Sequence, residues 1–357
     1  MNNGIKVYIR TDANDIIATG HMMRCITIAN AIADYSCRIV FLIADENSSH
    51  LLDDTSFDYI TLNSRWDLLE TESEISQLET LFLDDKKLRN EPVLLIDSYG
   101  VTENYCSRLH SYVRIAILDN LCTGKYDVDL LIGYTIFFER FNYKENYRGT
   151  KIKLLLGTDY VPLRSQFLEV KKNLKRKYDD DQNFEILVMS GGGDTIHFLK
   201  HFLEYAIMQN QIQNCNYNVV IGRYANDLCD LKKLEQEYKN IKLHINVTNM
   251  ASLMQNCDVA VSAAGTILYE CCCLGLPTIC YCANNDQLYD GLYFSKDAGM
   301  IYAGDAMSNM SNTIVNVYSG ICYLINNPVA RKKMSEKMSL ITDGKGANRI
   351  AQEILNL

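Results

Sequence analysis

The segment ATGHMMRC, Ala18 to Cys25, places a histidine, His21, directly behind Gly20 and just ahead of an apolar-periodic run. A histidine inside such a run is ordinarily a core residue, but this one precedes the stripe and sits where a ligand could reach it. A neutral imidazole at a helix start can take a proton from water, so His21 is the candidate general base. Two further segments could hold an anion. SGGGDT, Ser190 to Thr195, follows an apolar run and includes Gly192, Gly193 and Asp194; its glycines could bring backbone N–H groups to a phosphate or simply form a tight turn. In SAAGTILYE, Ser262 to Glu270, the residues Ala264, Gly265 and Thr266 offer backbone and hydroxyl donors. Glu270 lies four residues past Thr266, on the same helical face, where an ionised carboxylate could accept from two ribose hydroxyls or merely face solvent. Polar residues also close the early apolar runs: Arg10 and Asp12, Asp97 and Tyr99, and Asn120. Such a rim suits a sugar, although Asp97 and Asn120 could equally cap helices.

The elements that must position these residues are parallel strands joined by helices, since short Val- and Ile-rich runs alternate with stretches of helical period. The expected strands are 5–10, 38–44, 93–97, 114–119 and 130–133, then 185–189, 217–222, 241–245, 259–262, 278–282 and 300–302. Between the first two, Met22, Cys25, Ile26, Ala29, Ile32 and Ala33 form one helical stripe. Asn327 before Pro328 reads as a helix cap with proline in the first turn. In doubly wound sheets ligands bind beyond the carboxyl ends of the strands, which is where the candidate residues fall.

A chain of 357 residues suggests two domains. The expected division is an N-terminal Rossmann-like domain over 1–165, an inter-domain segment over 166–183, a C-terminal Rossmann-like domain over 184–340 and a C-terminal helix over 341–357. A net charge of −9 argues against a nucleic-acid binder. The thirteen cysteines include no C-x-x-C pair or zinc spacing, so reduced thiols, a cytoplasmic setting and no metal are expected. Val259 to Ala283 is apolar enough to need checking as a membrane span, but Gly265, Gly275 and Pro277 divide it into strand, helix and strand, and no membrane partner is expected.

Seven segments in order, IRTDANDIIATGHMMRC, IDSYG, LLLGTDYVPLRSQF, GGGD, NVTNMASLM, SAAGTILYE and NNDQ, resemble the nucleotide-sugar hydrolases of pseudaminic acid biosynthesis and their relatives among spore-coat polysaccharide proteins. The resemblance spans nearly the whole chain. It implies a glycosyltransferase-B fold, two Rossmann-like doubly wound domains facing a cleft, related to the MurG-type transferase. It also implies hydrolysis of a UDP-linked deoxy-amino sugar at the anomeric C–O bond with inversion, without cofactor or metal, by a monomer or weak dimer. His21 takes the position of the family's catalytic histidine and Glu270 that of its nucleotide-side acid. Arg164, Tyr99 and Gln287 fall at or near the sugar pocket, with Arg10, Asp12, Asp97 and Asn120, while Asn249 and Met250 join the nucleotide side.

Three residues depart from the family pattern: Ala18 stands for a glycine, Ser98 for a histidine and Asn120 for an acid. All lie on the sugar side, so the sugar itself is the least determined element. A glycosyltransferase using the same donor, or a non-catalytic nucleotide-sugar binding protein, are the alternatives. The presence of a base argues against the second.

Overall fold

The structure is a computed structural model and describes residues 5–88, 92–176, 178, 183–191, 193–209, 215–222 and 227–357. The chain forms two compact units, one of Met1–Pro162 with Lys345–Leu357, the other of Leu163–Gly344.

In the first unit the described strands are β1 (Lys6–Thr11), β2 (Arg38–Ile43), β3 (Asp58–Thr61), β4 (Pro92–Asp97), β5 (Arg114–Leu118), β6 (Leu130–Gly133) and β7 (Lys153–Leu156). All pair in parallel, in the order β3-β2-β1-β4-β5-β6-β7. The central strands are buried on both faces, which is why β1, β2 and β4 read as continuous apolar runs rather than alternating ones. On one face Tyr8, Leu42, Leu94, Ile96 and Ile117 pack with Ile75, Leu78, Phe82 and Tyr105 from the covering helices. Sequence pattern missed the two edge strands: β3 is largely exposed and β7 is only partly buried, so neither shows the clean apolar run of the central strands. The helix Gly20–Ala33 buries Met22, Cys25, Ile26, Ala29 and Ile32, while Ala33, also expected on the stripe, is exposed at its end.

The second unit has β8 (Phe184–Met189), β9 (Cys215–Ile221), β10 (Ile241–Ile245), β11 (Val259–Ala263), β12 (Thr278–Cys282) and β13 (Ile301–Asp305). These form a parallel sheet in the order β10-β9-β8-β11-β12-β13. The apolar segment 259–283 resolves into β11, the helix Ile267–Cys273 and β12. Among the described residues no helix is long and apolar enough to cross a membrane. Asn327 caps the helix Pro328–Ser339 by accepting from the Ala330 amide at 3.2 Å, with Pro328 in its first turn.

Two segments lie differently from the expected division. Much of 166–183 is the helix Ser165–Asn173, which packs against the helices Met250–Met254 and Ile267–Cys273 of the second unit. The helix Gly346–Leu355 belongs to the first unit, where it packs on Gly20–Ala33. Its first residue must be glycine, because a Cβ there would stand 2.1 Å from the Val161 carbonyl oxygen.

Candidate functional site

In each sheet the strand order reverses at the first strand, between β1 and β4 and between β8 and β11. Crossovers leave in opposite directions there and open a crevice beyond the carboxyl ends, so the loops following these four strands are the places for a ligand.

In the first unit β1 ends at Thr11, which pairs with Asp97 at the end of β4. The chain then turns through a tight loop in which the Asn14 carboxamide accepts from the Ile16 and Ile17 amides, both at 2.9 Å. Ala18 closes it with φ +55°, a left-handed conformation that costs a residue with a Cβ about 1–2 kcal/mol. Glycine would adopt it freely. This loop delivers His21 in the first turn of the helix Gly20–Ala33.

His21 Nδ1 lies 2.8 Å from Asp97 Oδ1. Assigning the Nδ1 proton to that bond leaves the Nε2 lone pair available, and Nε2 has no partner among the described residues. The Tyr99 ring, 64% exposed, stands edge-on to the imidazole at 4.6 Å. Asp97 also receives a two-point grip from Arg24, through Nε to Oδ2 and Nη2 to Oδ1, the latter at 2.6 Å, and the Cys25 thiol donates to Oδ2 at 3.6 Å. Burial alone would raise the Asp97 carboxyl, but Arg24 and then His21 outweigh it and hold it well below the usual carboxylate range. A buried, ionised carboxylate behind an imidazole fixes the ring and stabilises the positive charge that it acquires on taking a proton.

Arg24 was not among the expected site residues. The one signal for it is spacing: three residues past His21, it shares that residue's helical face.

Other expected residues of this unit have different work. Arg10 is fully buried. Its guanidinium bonds Glu74 through Nε at 2.9 Å and Nη2 at 3.3 Å, as well as Asp12 and the carbonyls of Leu42 and Arg65. Asp12 accepts in addition from the Ala44 amide at 2.7 Å. The pair thus ties β1, β2 and the helix Glu72–Lys87 together beneath the surface and does not face a ligand. Nothing in the sequence marked Glu74 as the partner. Asn120 Oδ1 accepts from the Tyr134 amide at 3.0 Å, anchoring the loop after β6.

In the second unit the loop after β11 carries the more open geometry. Thr266 begins the helix Ile267–Cys273 without a side-chain cap, and a Cβ added at Gly265 would meet only Gln287 Nε2, at 3.9 Å. Ala264, expected to offer a donor, is fully buried and its amide already donates to the Tyr281 carbonyl at 2.7 Å. One turn deeper, Glu270 Oε1 accepts from Arg164 Nη2 at 2.9 Å, whereas Oε2 is buried without a hydrogen-bond partner among the described residues. Burial raises the Glu270 carboxyl above its ordinary range, with Arg164 opposing the shift. Buried oxygens of this kind are costly unless something bonds them, and ligand hydroxyls are the natural donors.

Arg164 and Gln287, expected on the sugar side, therefore belong to this unit. Arg164 precedes the helix Ser165–Asn173, which packs beside the helix bearing Glu270, and Gln287 is braced near Gly265 by accepting from the Ala283 amide at 2.8 Å. The loop after β8 departs further from expectation. Gly192 lies outside the described residues. Gly193 does not lead straight into a helix, which starts only at Phe198. Asp194 fills that helix start itself, accepting from the amides of Phe198 at 2.9 Å and Leu199 at 2.8 Å, so its carboxylate is a cap. Asn249 likewise caps a helix, accepting from the Ser252 amide at 2.9 Å, and Met250 is buried behind it. Among the described residues no three His, Cys, Asp or Glu side chains converge to hold a metal ion.

Among solved structures, MurG of Acinetobacter baumannii superposes with a TM-score of 0.67 at 12% identity, covering 99% of this chain and 100% of that one. A UDP-GlcNAc 2-epimerase from Neisseria meningitidis gives 0.66 at 13% identity over 99% and 100%. The chain is thus a protein of the glycosyltransferase-B fold, with two Rossmann-like parallel-sheet units. Among curated proteins it is 24% identical to the UDP-2,4-diacetamido-2,4,6-trideoxy-beta-L-altropyranose hydrolase of Campylobacter jejuni over 79% of this chain and 94% of that protein. It is 23% identical to the spore coat polysaccharide biosynthesis protein SpsG of Bacillus subtilis, over 56% and 58%. An uncharacterized protein of Methanocaldococcus jannaschii is 23% identical over 88% and 67%. Residues 169–343 match the family described as a protein of unknown function, DUF354. The chain is thus similar over most of its length to the Campylobacter hydrolase and over about half of it to the Bacillus spore-coat protein.

Proposed function

We propose that this protein is an enzyme of sugar biosynthesis that hydrolyses a UDP-activated deoxy-amino sugar, cleaving the anomeric C–O bond with inversion to release UDP and the free sugar. The observation that carries the reading is the His21–Asp97 pair at the switch point of the first sheet, with Nε2 unengaged among the described residues. His21 takes a proton from water as the water oxygen attacks the anomeric carbon. The bond from that carbon to the diphosphate oxygen breaks, UDP departs with the electron pair, and the proton on His21 passes to solvent. A nucleoside diphosphate leaves without prior protonation, which accords with a single base where ordinary glycoside hydrolysis needs two carboxyl groups. Glu270 Oε2, with the loop of Gly265 and Thr266, would receive the nucleotide, the carboxylate accepting from ribose hydroxyls and the loop donating to phosphate.

The test follows release of UDP from a panel of UDP-sugars in ¹⁸O water, with the sugar product read by mass spectrometry. Label in the sugar hydroxyl, and a fall of about 10²–10⁴ in kcat for His21→Ala with UDP affinity retained, is expected. Release that needs an added acceptor would instead make the protein a transferase, and undiminished turnover in His21→Ala would remove the base from the mechanism.

A further inference from the structure

We propose that Arg24 is a positioning residue that keeps His21 neutral and base-ready, a reading that rests on the function proposed above. Arg24 Nη2 stands 2.6 Å from Asp97 Oδ1 and 2.7 Å from His21 Nδ1. An Asp97–His21 pair alone carries one negative charge when the ring is neutral, and protonating the ring cancels it. With Arg24 added the cluster is already neutral, and a ring proton creates net positive charge against a guanidinium at hydrogen-bond distance. An Arg24 N–H donated to Nδ1 needs that nitrogen unprotonated, whereas Nδ1–H donated to Asp97 is compatible with either charge state of the ring, so it is the charge balance of the cluster that favours the neutral form. The Arg24 guanidinium itself stays protonated: burial pulls it down, but Asp97 more than restores it.

The other groups facing this cluster do not supply a second negative charge. They are the Cys25 thiol, which donates to Asp97 and which burial keeps protonated, Tyr134 beside Arg24, and the edge of Tyr99. The positive end of the helix Gly20–Ala33 acts in the same sense as Arg24. Among the described residues, removing Arg24 therefore leaves an aspartate facing a ring that is free to become its cation.

The experiment titrates the His21 ring by heteronuclear NMR, its signal assigned among the six histidines by its loss in His21→Gln. In Arg24→Met the midpoint is expected to rise by about one pH unit or more, and in Arg24→Lys, which keeps the charge, to stay within about half a unit. The acid limb of kcat/KM should move with it, whereas a merely structural role would lower activity equally at every pH. An unmoved midpoint in Arg24→Met overturns the proposal. Should that variant fail to fold, Arg24→Gln removes the same charge while leaving Asp97 a donor. If no UDP-sugar is hydrolysed by the wild type, the functional reading fails, yet the titration still decides the role of Arg24.

Discussion

Glu270→Gln separates what the protein does with this residue from what the residue does for the fold. The substitution preserves shape and removes charge. In the wild type Oε1 is held by Arg164 at 2.9 Å and Oε2 is buried without a partner among the described residues. If ribose hydroxyls donate to Oε2, the variant exchanges a charge-assisted bond for a neutral one, or presents an amide N–H where an acceptor is needed. The loss is about 1.5–3 kcal/mol, or about ten- to a hundredfold in the Kd for UDP. Folding stability should hardly change. The ion pair with Arg164 is lost, but Arg164 is 26% exposed, so the pair contributes about 0–1 kcal/mol, and an incompletely bonded buried charge disappears with it. The pH dependence supplies a sign. Because the Glu270 carboxyl is raised in the folded state, ionising it is harder there than in the unfolded chain. Wild type therefore loses stability relative to the variant as pH rises through the window above the ordinary value of 4.5, and regains it on acidification. Calorimetric titration with UDP and denaturant melts at several pH values measure both quantities. A properly folded variant that binds UDP within about threefold of wild type would refute the placement of ribose at Oε2.

Two other substitutions test the first unit. Asp97→Asn should destabilise the protein by about 3 kcal/mol, the low end for a broken buried pair because Arg24 keeps 16% side-chain exposure, and should cut turnover by misorienting His21. Since the Asp97 carboxyl is depressed on folding, its stabilisation is fully present above the ordinary value of 3.8 and is lost as pH falls further; acid melts of the wild type should show a loss that the Asn variant lacks. Ala18→Gly should stabilise by about 1 kcal/mol in chemical denaturation, since glycine adopts φ +55° without strain; a loss of stability would show that the loop is not strained at this residue.

The alternation of apolar runs and helical periods determined the parallel α/β character of both halves, because strands buried on both faces and amphipathic helices leave distinct local periods. It also brought His21 and the SAAGT loop to strand-to-helix turns, a matter of chain order alone. Edge strands β3 and β7 escaped because partial exposure at a sheet edge blurs the pattern of a buried strand. Pairings between distant residues were a different matter. That Asp97 meets Arg24 and His21, the latter 76 residues before it, follows from β4 lying beside β1. That Arg10 turns inward to Glu74 depends on where the helix Glu72–Lys87 packs. Arg164 joins Glu270 across a separation of 106 residues, through the packing of two helices that no local pattern links. Residue type told which side chains could do chemistry, but a cap, a buried anchor and a base look alike until the partner is in place, and the partner is supplied by tertiary contact.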